Sequence, residues 1–374
     1  MPVKACRHIK CEFASCAASC PRQIAALHSS SPSPTHVETG VGVEIATSTR
    51  MMAAPHNSGS SELSIVIVNW NSGPDLRTCI ESIAGAQLPD GWIVNAVVVV
   101  DNGSTDDSCN TIDAIDLNVV VVRNIENRGF AAACNQGAAA ATSNLILFLN
   151  PDARLFKQSL LAPIRYMAAP SHEHVGITGI QLIDESGAVV RCCARFPRAK
   201  HFVAQALGFD RLFPSTSHLM RDWDHLDTRP VDQVIGAFFL VRRDLFTNIG
   251  GFDERFFVYF EEVDLALRAQ QQGWTTVFVA NAKAFHAGGG SSRKIMGRRL
   301  FYSLRSRLQY GHKHFSSSEM LLLCLASLVV EPIGRAMYLL LAGRFAEIRF
   351  LAQGYGLLLS DGLKRLRART MQSS

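Results

Sequence analysis

Three groups of polar residues in this 374-residue chain stand where they could do chemistry. The first is Asn150 and Asp152, set around Pro151 directly after the apolar run Leu145-Ile146-Leu147-Phe148-Leu149. Five apolar residues without alternation suit a strand buried on both faces of a parallel sheet, and proline, which cannot donate to the ladder, stops it. The two side chains are thereby left at the carboxyl end of a central strand, the edge at which open α/β sheets bind ligands. An acidic residue there is either a helix cap or a metal ligand. The second group is Glu261, Glu262 and Asp264, opening a helix after Phe256, Phe257, Tyr259 and Phe260. Acidic residues in a first helical turn complement the helix dipole, and in an apolar setting a carboxylate also has the raised pKa that suits a general base. The third is His286, followed by Gly288, Gly289 and Gly290. It is either a structural histidine or one set beneath a flexible glycine lid over a ligand.

The surrounding pattern brings the first group and other polar residues to one edge. Residues 63–69 form a β-branched apolar run that ends in the loop Trp70-Asn71-Ser72-Gly73-Pro74. Asp75 then opens a helix with Leu76, Cys79, Ile80 and Ile83 on one face. A second buried strand over residues 93–100 ends in Asp101-Asn102-Gly103-Ser104-Thr105-Asp106, and a third covers residues 118–122. The turn Asn127-Arg128-Gly129-Phe130 and an alanine-rich helix over 131–141 lead into the strand at 145. Such strand–helix units imply right-handed parallel crossovers and a nucleotide-binding α/β half. Trp70, Asn71, Asp101, Asn150 and Asp152 all follow strands at their carboxyl ends. With no Gly-x-x-x-x-Gly-Lys-Ser/Thr and no Gly-x-Gly-x-x-Gly, a P-loop NTPase and a dinucleotide oxidoreductase lack their phosphate cradles, so a phosphorylated ligand needs a cation instead. The second half predicts strands over 175–183, 234–241 and 275–280, an irregular stretch to Trp223, and a helix from Glu261 closed by Gly273.

At 48% hydrophobic and 18% charged, the chain carries enough apolar material for one large or two smaller cores and is not a disordered protein. Its net charge of +5 is unevenly spread: residues 291–374 hold 14 Lys+Arg against 4 Asp+Glu, leaving the first 290 residues at −5. An acidic, cation-using body with a basic arm for an anionic surface fits that split. The arm is apolar between its charges and has no nucleic-acid-binding signature, which favours phospholipid over nucleic acid. Its run at 320–330 is only 11 residues long before Glu331 and Pro332, too short to span a bilayer. Met337 to Leu341 and Ile348 to Leu351 add apolar faces, and Lys364, Arg365, Arg367 and Arg369 close the chain, so residues 313–374 read as amphipathic basic helices lying in an interface. Residues 1–60, with a Ser/Pro run and no apolar stretch long enough for a signal peptide, read as a disordered extension, with Met51 a candidate start of translation. Cys6, Cys11, Cys16 and Cys20 lack the paired spacing of structural zinc sites, and the other thiols read as small core residues of a reducing compartment.

Taken together, Val68-Asn69-Trp70-Asn71, the segment from Val100 to Asp106, Asn127-Arg128-Gly129-Phe130-Ala131, Leu149-Asn150-Pro151-Asp152, Gly250-Gly251-Phe252-Asp253-Glu254, Phe260-Glu261-Glu262-Val263-Asp264 and His286 resemble the family 2 inverting glycosyltransferases, nearest to the bacterial rhamnosyltransferase-like group. The resemblance covers roughly residues 63–308 and implies a GT-A fold. In that α/β architecture a nucleotide-binding, parallel-stranded half joins an acceptor-binding half in one mixed sheet; here it would fill residues 61–312, with a C-terminal helical tail behind. It further implies a nucleotide-diphosphate sugar donor held by Asn69, Trp70, Asn71, Asp101, Asn102, Asn127, Gly129, Phe130 and Asn150, with Mg2+ or Mn2+ on Asp152 and His286. The family's Asp-x-Asp is here Asn150-Pro151-Asp152, so a neutral amide replaces the first carboxylate. Where most relatives have Glu-Asp this chain has Glu261-Glu262, which places Glu262 at the catalytic-base position, with Glu261 and Asp264 the alternatives. The acceptor implied is a glycan or a polyprenyl-diphosphate-linked sugar of cell-surface polysaccharide synthesis, met at the cytoplasmic face of the plasma membrane. A sugar nucleotidyltransferase would want a glycine-rich loop with Arg or Lys near the first strand, where Asn69-Trp70-Asn71-Ser72 stands, and a noncatalytic binding protein would have lost the carboxylates.

Overall fold

A computed structural model describes residues 44–46, 61–112, 115–288 and 296–372. The expected disordered extension falls outside the described residues except at 44–46, which form a strand rather than disordered chain; the four clustered cysteines, Met51 and most of the expected glycine lid also fall outside them. Strand β1 (Glu44–Ala46) precedes β2 (Ser61–Asn69), α1 (Pro74–Ala84), β3 (Trp92–Asn102), β4 (Val119–Asn124), α2 (Phe130–Ala139) and β5 (Leu145–Leu149). Then come β6 (Ala153–Leu155), α3 (Leu161–Ala168), β7 (Val175–Ile183), β8 (Val189–Val190), β9 (Cys193–Ala194), α4 (Ala199–Ala206) and α5 (Phe209–Leu212). The chain continues through β10 (Arg229–Val231), β11 (Gln233–Val234), β12 (Phe238–Arg242), α6 (Arg243–Asn248), α7 (Glu261–Gln271) and β13 (Thr275–His286). It finishes with α8 (Met296–His314), α9 (Ser317–Leu325), α10 (Glu331–Leu341) and α11 (Phe345–Gln372).

One mixed sheet runs in the order β1-β4-β3-β2-β5-β12-β7-β13-β10 among the described residues. Strands β4, β3, β2 and β5 are mutually parallel, the arrangement that right-handed crossovers through α1 and α2 produce. Strand β12 is antiparallel to both β5 and β7 and joins the two halves. All five residues of β5 are buried, as an unalternated run at a sheet centre must be. Helix α2 lies so close to the sheet that a Cβ on Gly137 would sit 2.4 Å from Val66 Cγ1. Cys79, Cys109, Cys134, Cys192 and Cys193 are buried free thiols, in keeping with a role as core residues.

Two expectations need correction. The apolar stretch at 234–241 is not one strand: β11 pairs with β9 in a separate two-stranded sheet, Ile235 N then donates to Cys192 O (2.9 Å) and Ala237 O accepts from Asn150 N (3.1 Å), and only β12 joins the mixed sheet. The tail's apolar helix is also longer than its sequence suggests. α9 continues through a π-helical turn, Ala326–Val330, into α10, giving a 25-residue helix over Ser317–Leu341 that is long and apolar enough to cross a membrane. A π turn absorbs the donor that Pro332 cannot supply, and the charge of Glu331 is met by Arg307 (Nη1–Oε2, 2.5 Å) and Arg335 (Nη2–Oε1, 2.6 Å). Arg307 and Glu331 are both buried, so this network ties the long helix to α8.

Candidate active site

The parallel half gathers its amide side chains at the carboxyl ends of β2 and β3, where Asn69 and Asp101 are register partners. Asn69 is fully buried and its Nδ2 donates to Ser104 Oγ (3.0 Å) and Ser108 Oγ (2.8 Å). Asn71 adopts a left-handed backbone (φ 52°), and its Oδ1 accepts from the backbone N–H of Thr105 (2.8 Å) and Asp106 (3.2 Å). Asp101 accepts from Ser104 N (3.2 Å) and faces Arg123 Nη1 at 3.3 Å. Asn102 donates to Asn127 Oδ1 (3.0 Å) and Gly129 O (3.1 Å) while accepting from Arg128 N (3.0 Å). The predicted nucleotide-site amides are thus brought together, and much of their bonding holds three loops to one another. Gly129 has φ 90°, and a Cβ there would come within 2.6 Å of Phe257 O, which accepts from Phe130 N at 2.5 Å. Only glycine fits that contact, which links the parallel half to the segment that leads into α7.

Asn150, Asp152 and His286 converge although more than 130 residues separate the first from the last. The cause is register: β6 pairs antiparallel with the end of β13, setting Ala153 opposite His286, so Asp152 lies beside the imidazole. His286 Nε2 is 3.3 Å from Asp152 Oδ1 and 3.4 Å from Asn150 Nδ2, and the backbone N–H of Ala287 donates to Asp152 O (3.2 Å). The Asp152 and His286 side chains are 13% and 11% exposed, at the surface edge of the sheet. Neighbouring ligands of an octahedral ion at ~2.1 Å stand about 3 Å apart, so the carboxylate and imidazole have a separation at which one Mg2+ or Mn2+ could bind both.

Glu261 and Glu262 occupy the first turn of α7, and the backbone before them is strained. Tyr259 and Phe260 both have positive φ, 69° and 71°. Left-handed non-glycine residues cost roughly 1–3 kcal/mol each and persist where the surroundings over-determine them. Glu261 is buried, and burial together with the neighbouring Glu262 pushes its pKa far above the ordinary carboxylate range. Glu262 is half-buried; desolvation raises it from 4.5 to about 7, against the lowering effect of backbone N–H groups at the helix start. One oxygen of each carboxylate is buried without a hydrogen-bond partner among the described residues. Asp264 differs entirely. It is fully buried and held by Arg268 Nε (2.8 Å), Lys313 Nζ (2.6 Å) and His314 Nε2 (2.7 Å), and its pKa is lowered.

Arg268 stands four residues after Asp264, a spacing at which a helical ion pair was readable. Lys313 and His314 were missed because nothing local connects them with a residue some fifty positions earlier. The Arg123–Asp101 pair was missed for a similar reason: it depends on β3 lying beside β4.

A parallel nucleotide-type half joined by an antiparallel strand to a second half in one mixed sheet defines a GT-A fold. The chain belongs to glycosyl transferase family 2, whose family model matches residues 64–250. It is similar to the N-acetylglucosaminyl-diphospho-decaprenol L-rhamnosyltransferase of Mycobacterium tuberculosis, with 29% identity over 238 residues, 60% of this chain and 75% of that protein. The rhamnosyltransferase WbbL of Escherichia coli is 29% identical over 172 residues, 46% of this chain and 62% of its own length. Among solved structures, the mannosyltransferase PcManGT from Pyrobaculum calidifontis, in complex with GDP-Man and Mn2+, superposes with a TM-score of 0.50 at 17% identity, covering 84% of this chain and 91% of that one, a likeness of fold.

Proposed function

We propose that this enzyme is a metal-dependent inverting glycosyltransferase that moves a sugar, rhamnose by preference, from a nucleotide diphosphate to a hydroxyl of a glycan or polyprenyl-diphosphate-linked acceptor in cell-surface polysaccharide synthesis. The observation that carries this reading is the pairing of two separate sites: Asp152 with His286 at the sheet edge, and a buried carboxylate pair opening α7. Both rhamnosyltransferase relatives support a rhamnosyl donor, and the Mycobacterium tuberculosis one supports the lipid-linked acceptor. Asp152 and His286 would hold Mg2+ or Mn2+, which offsets the charge developing on the leaving diphosphate. The loops tied by Asn69, Asn71, Asn102 and Asn127 would shape the nucleotide pocket beside Trp70, Asp101, Phe130 and Asn150. Glu262 takes the proton of the acceptor hydroxyl as oxygen attacks the anomeric carbon, and one direct displacement inverts that centre. Glu261 is the more deeply buried of the pair, with its pKa raised by burial and by its neighbour, and so is less accessible to an acceptor hydroxyl. Asp264, with three basic partners, serves as an anchor in this reading.

The test is release of nucleoside diphosphate from a donor panel of dTDP-rhamnose, UDP-sugars and GDP-sugars, with and without EDTA. Release that is strongest with dTDP-rhamnose and abolished by EDTA is expected; no release from any donor, or release indifferent to EDTA, overturns the reading.

We place the enzyme in the cytoplasm, peripheral at the inner face of the plasma membrane. The long helix supports this through a line of exposed side chains at four-residue spacing, Leu321, Leu325, Val329, Ile333, Met337 and Leu341, between 48% and 84% exposed. Its other side buries Leu323, Ala326 and Ser327 and carries the Glu331–Arg307 pair. A helix fixed to the body along one side and apolar along the other suits an interface, and the basic tail suits anionic lipid. Binding to anionic vesicles at low salt, reversed by high salt or alkali, is the expected result. Leu325→Glu with Ile333→Glu should weaken it at least a hundredfold, since each buried apolar side chain contributes about 1.5 kcal/mol or more. Hydrolysis of a soluble donor should persist. Resistance to alkaline extraction would mean that the helix spans the bilayer.

A further inference from the structure

Helix α8 lies beyond the residues that the family model matches, yet one of its faces touches the segment before and into α7 at successive points. The ring of Tyr302 stacks on Phe257 with centroids 4.7 Å apart. One turn on, Ser306 Oγ donates to Val258 O at 2.8 Å. After a further turn, the buried Tyr310 ring packs against Phe260, 5.4 Å between centroids. At the end of the helix, Lys313 and His314 hold Asp264 Oδ1 at 2.6 and 2.7 Å, and Lys313 also reaches Asp253 Oδ2 at 2.7 Å. The spacing of 302, 306, 310 and 313/314 is that of a single helical face. The held stretch includes the two left-handed residues, Tyr259 and Phe260, and between Phe260 and Asp264 lie Glu261 and Glu262. A turn of that kind needs an external template to keep one conformation.

We propose that α8 is that template, and that Tyr302, Ser306, Tyr310, Lys313 and His314 are positioning residues that fix the Glu262 carboxylate relative to the acceptor hydroxyl. They touch no reacting atom; they act through the backbone of residues 257–264. This rests on Glu262 being the base. It also means that a catalytic unit cut at residue 312 would lack the last two holding residues, because α8 runs to His314.

The experiment compares the full-length parent with Lys313→Ala/His314→Ala, Lys313→Arg/His314→Gln, Tyr302→Leu and Glu262→Gln, assayed with dTDP-rhamnose and a lipid-linked acceptor. A displacement of about 1 Å at a reacting group can cost roughly a hundredfold in rate. The alanine pair is therefore expected to lose about a hundredfold in kcat with donor KM changed by no more than about twofold, while circular dichroism shows a folded protein. The conservative pair keeps a cation and an N–H donor and should recover most of that loss. Tyr302→Leu, at the other end of the face, should show the same kcat-only loss in milder form, and it carries the test if the alanine pair does not fold. Parental kcat in the folded alanine pair, or in Tyr302→Leu where that carries the test, overturns the proposal, as does a conservative pair no better than the alanine pair. Glu262→Gln separates the two levels: if it retains transfer, the base assignment has failed; if it is inactive while the α8 variants are unimpaired, only the template has failed.

Discussion

Glu262→Gln is expected to bind donor and metal as the parent does and to lose transfer by about 10²–10⁴-fold, the usual contribution of a positioned general base. The amide keeps the shape of the side chain and lacks the basicity. The pH dependence makes the claim specific. Burial lifts the Glu262 carboxyl to about 7, so kcat/KM in the parent should rise with pH and level off above that value, and the residual rate of the Gln variant should lack this limb. Stability runs the other way. A carboxyl whose folded pKa is raised binds its proton more tightly in the native state, so between about 4.5 and 7 the native protein becomes less stable as pH rises. The Gln variant should therefore melt at a higher temperature than the parent at pH 8, with little difference at pH 4.5. Glu261→Gln is the companion measurement. If it is inactive and Glu262→Gln is active, the base is one residue earlier.

The parts of the fold that were legible are those where a local pattern and the tertiary environment agree. The β5 run and β7 fall where the apolar residues place them, because strands buried on both faces need no alternation to be read. The stretch at 234–241 misled because Gly236 and its neighbours are as apolar as a strand, yet their backbone groups bond to Cys192 and Asn150 outside the ladder. In the site, Asn150 and Asp152 could be placed from the strand they follow, but the register of β6 against β13 that sets His286 next to them has no local signature. The raised pKa at Glu262 follows from burial, which the apolar residues before it in the sequence suggested; the strain at Tyr259 and Phe260 was not readable, since neither residue type favours a left-handed backbone. The tail was misread for a related reason. Glu331 and Pro332 look like a break until Arg307, from another helix, offsets the charge and a π turn absorbs the proline.

Asp152→Ala should reduce transfer by at least about a hundredfold, because a divalent ion supplies several kcal/mol of stabilisation to the charge on the leaving diphosphate, and 1.36 kcal/mol is tenfold. Of the three convergent side chains, Asp152 alone is a carboxylate, the position of its family counterpart being filled by the neutral Asn150. Loss of Asp152 leaves an imidazole and an amide, a set with little affinity for Mg2+ or Mn2+, which take oxygen ligands and favour carboxylates. The fold should tolerate the change: Asp152 follows β5 in a loop, and alanine adds no bulk and removes a charge from a side chain only 13% exposed. A second readout is independent of turnover. Ligand binding to the native state raises stability by RT ln(1 + [L]/Kd), about 2.7 kcal/mol at a hundredfold excess over Kd, so Mn2+ with a nucleoside diphosphate should raise the melting temperature of the parent and leave Asp152→Ala unmoved. A side chain that only capped a turn would behave in the opposite way, costing about 1 kcal/mol of stability while turnover and the Mn2+ shift stayed normal. That second outcome would remove Asp152 from the metal site and, with it, the assignment of His286.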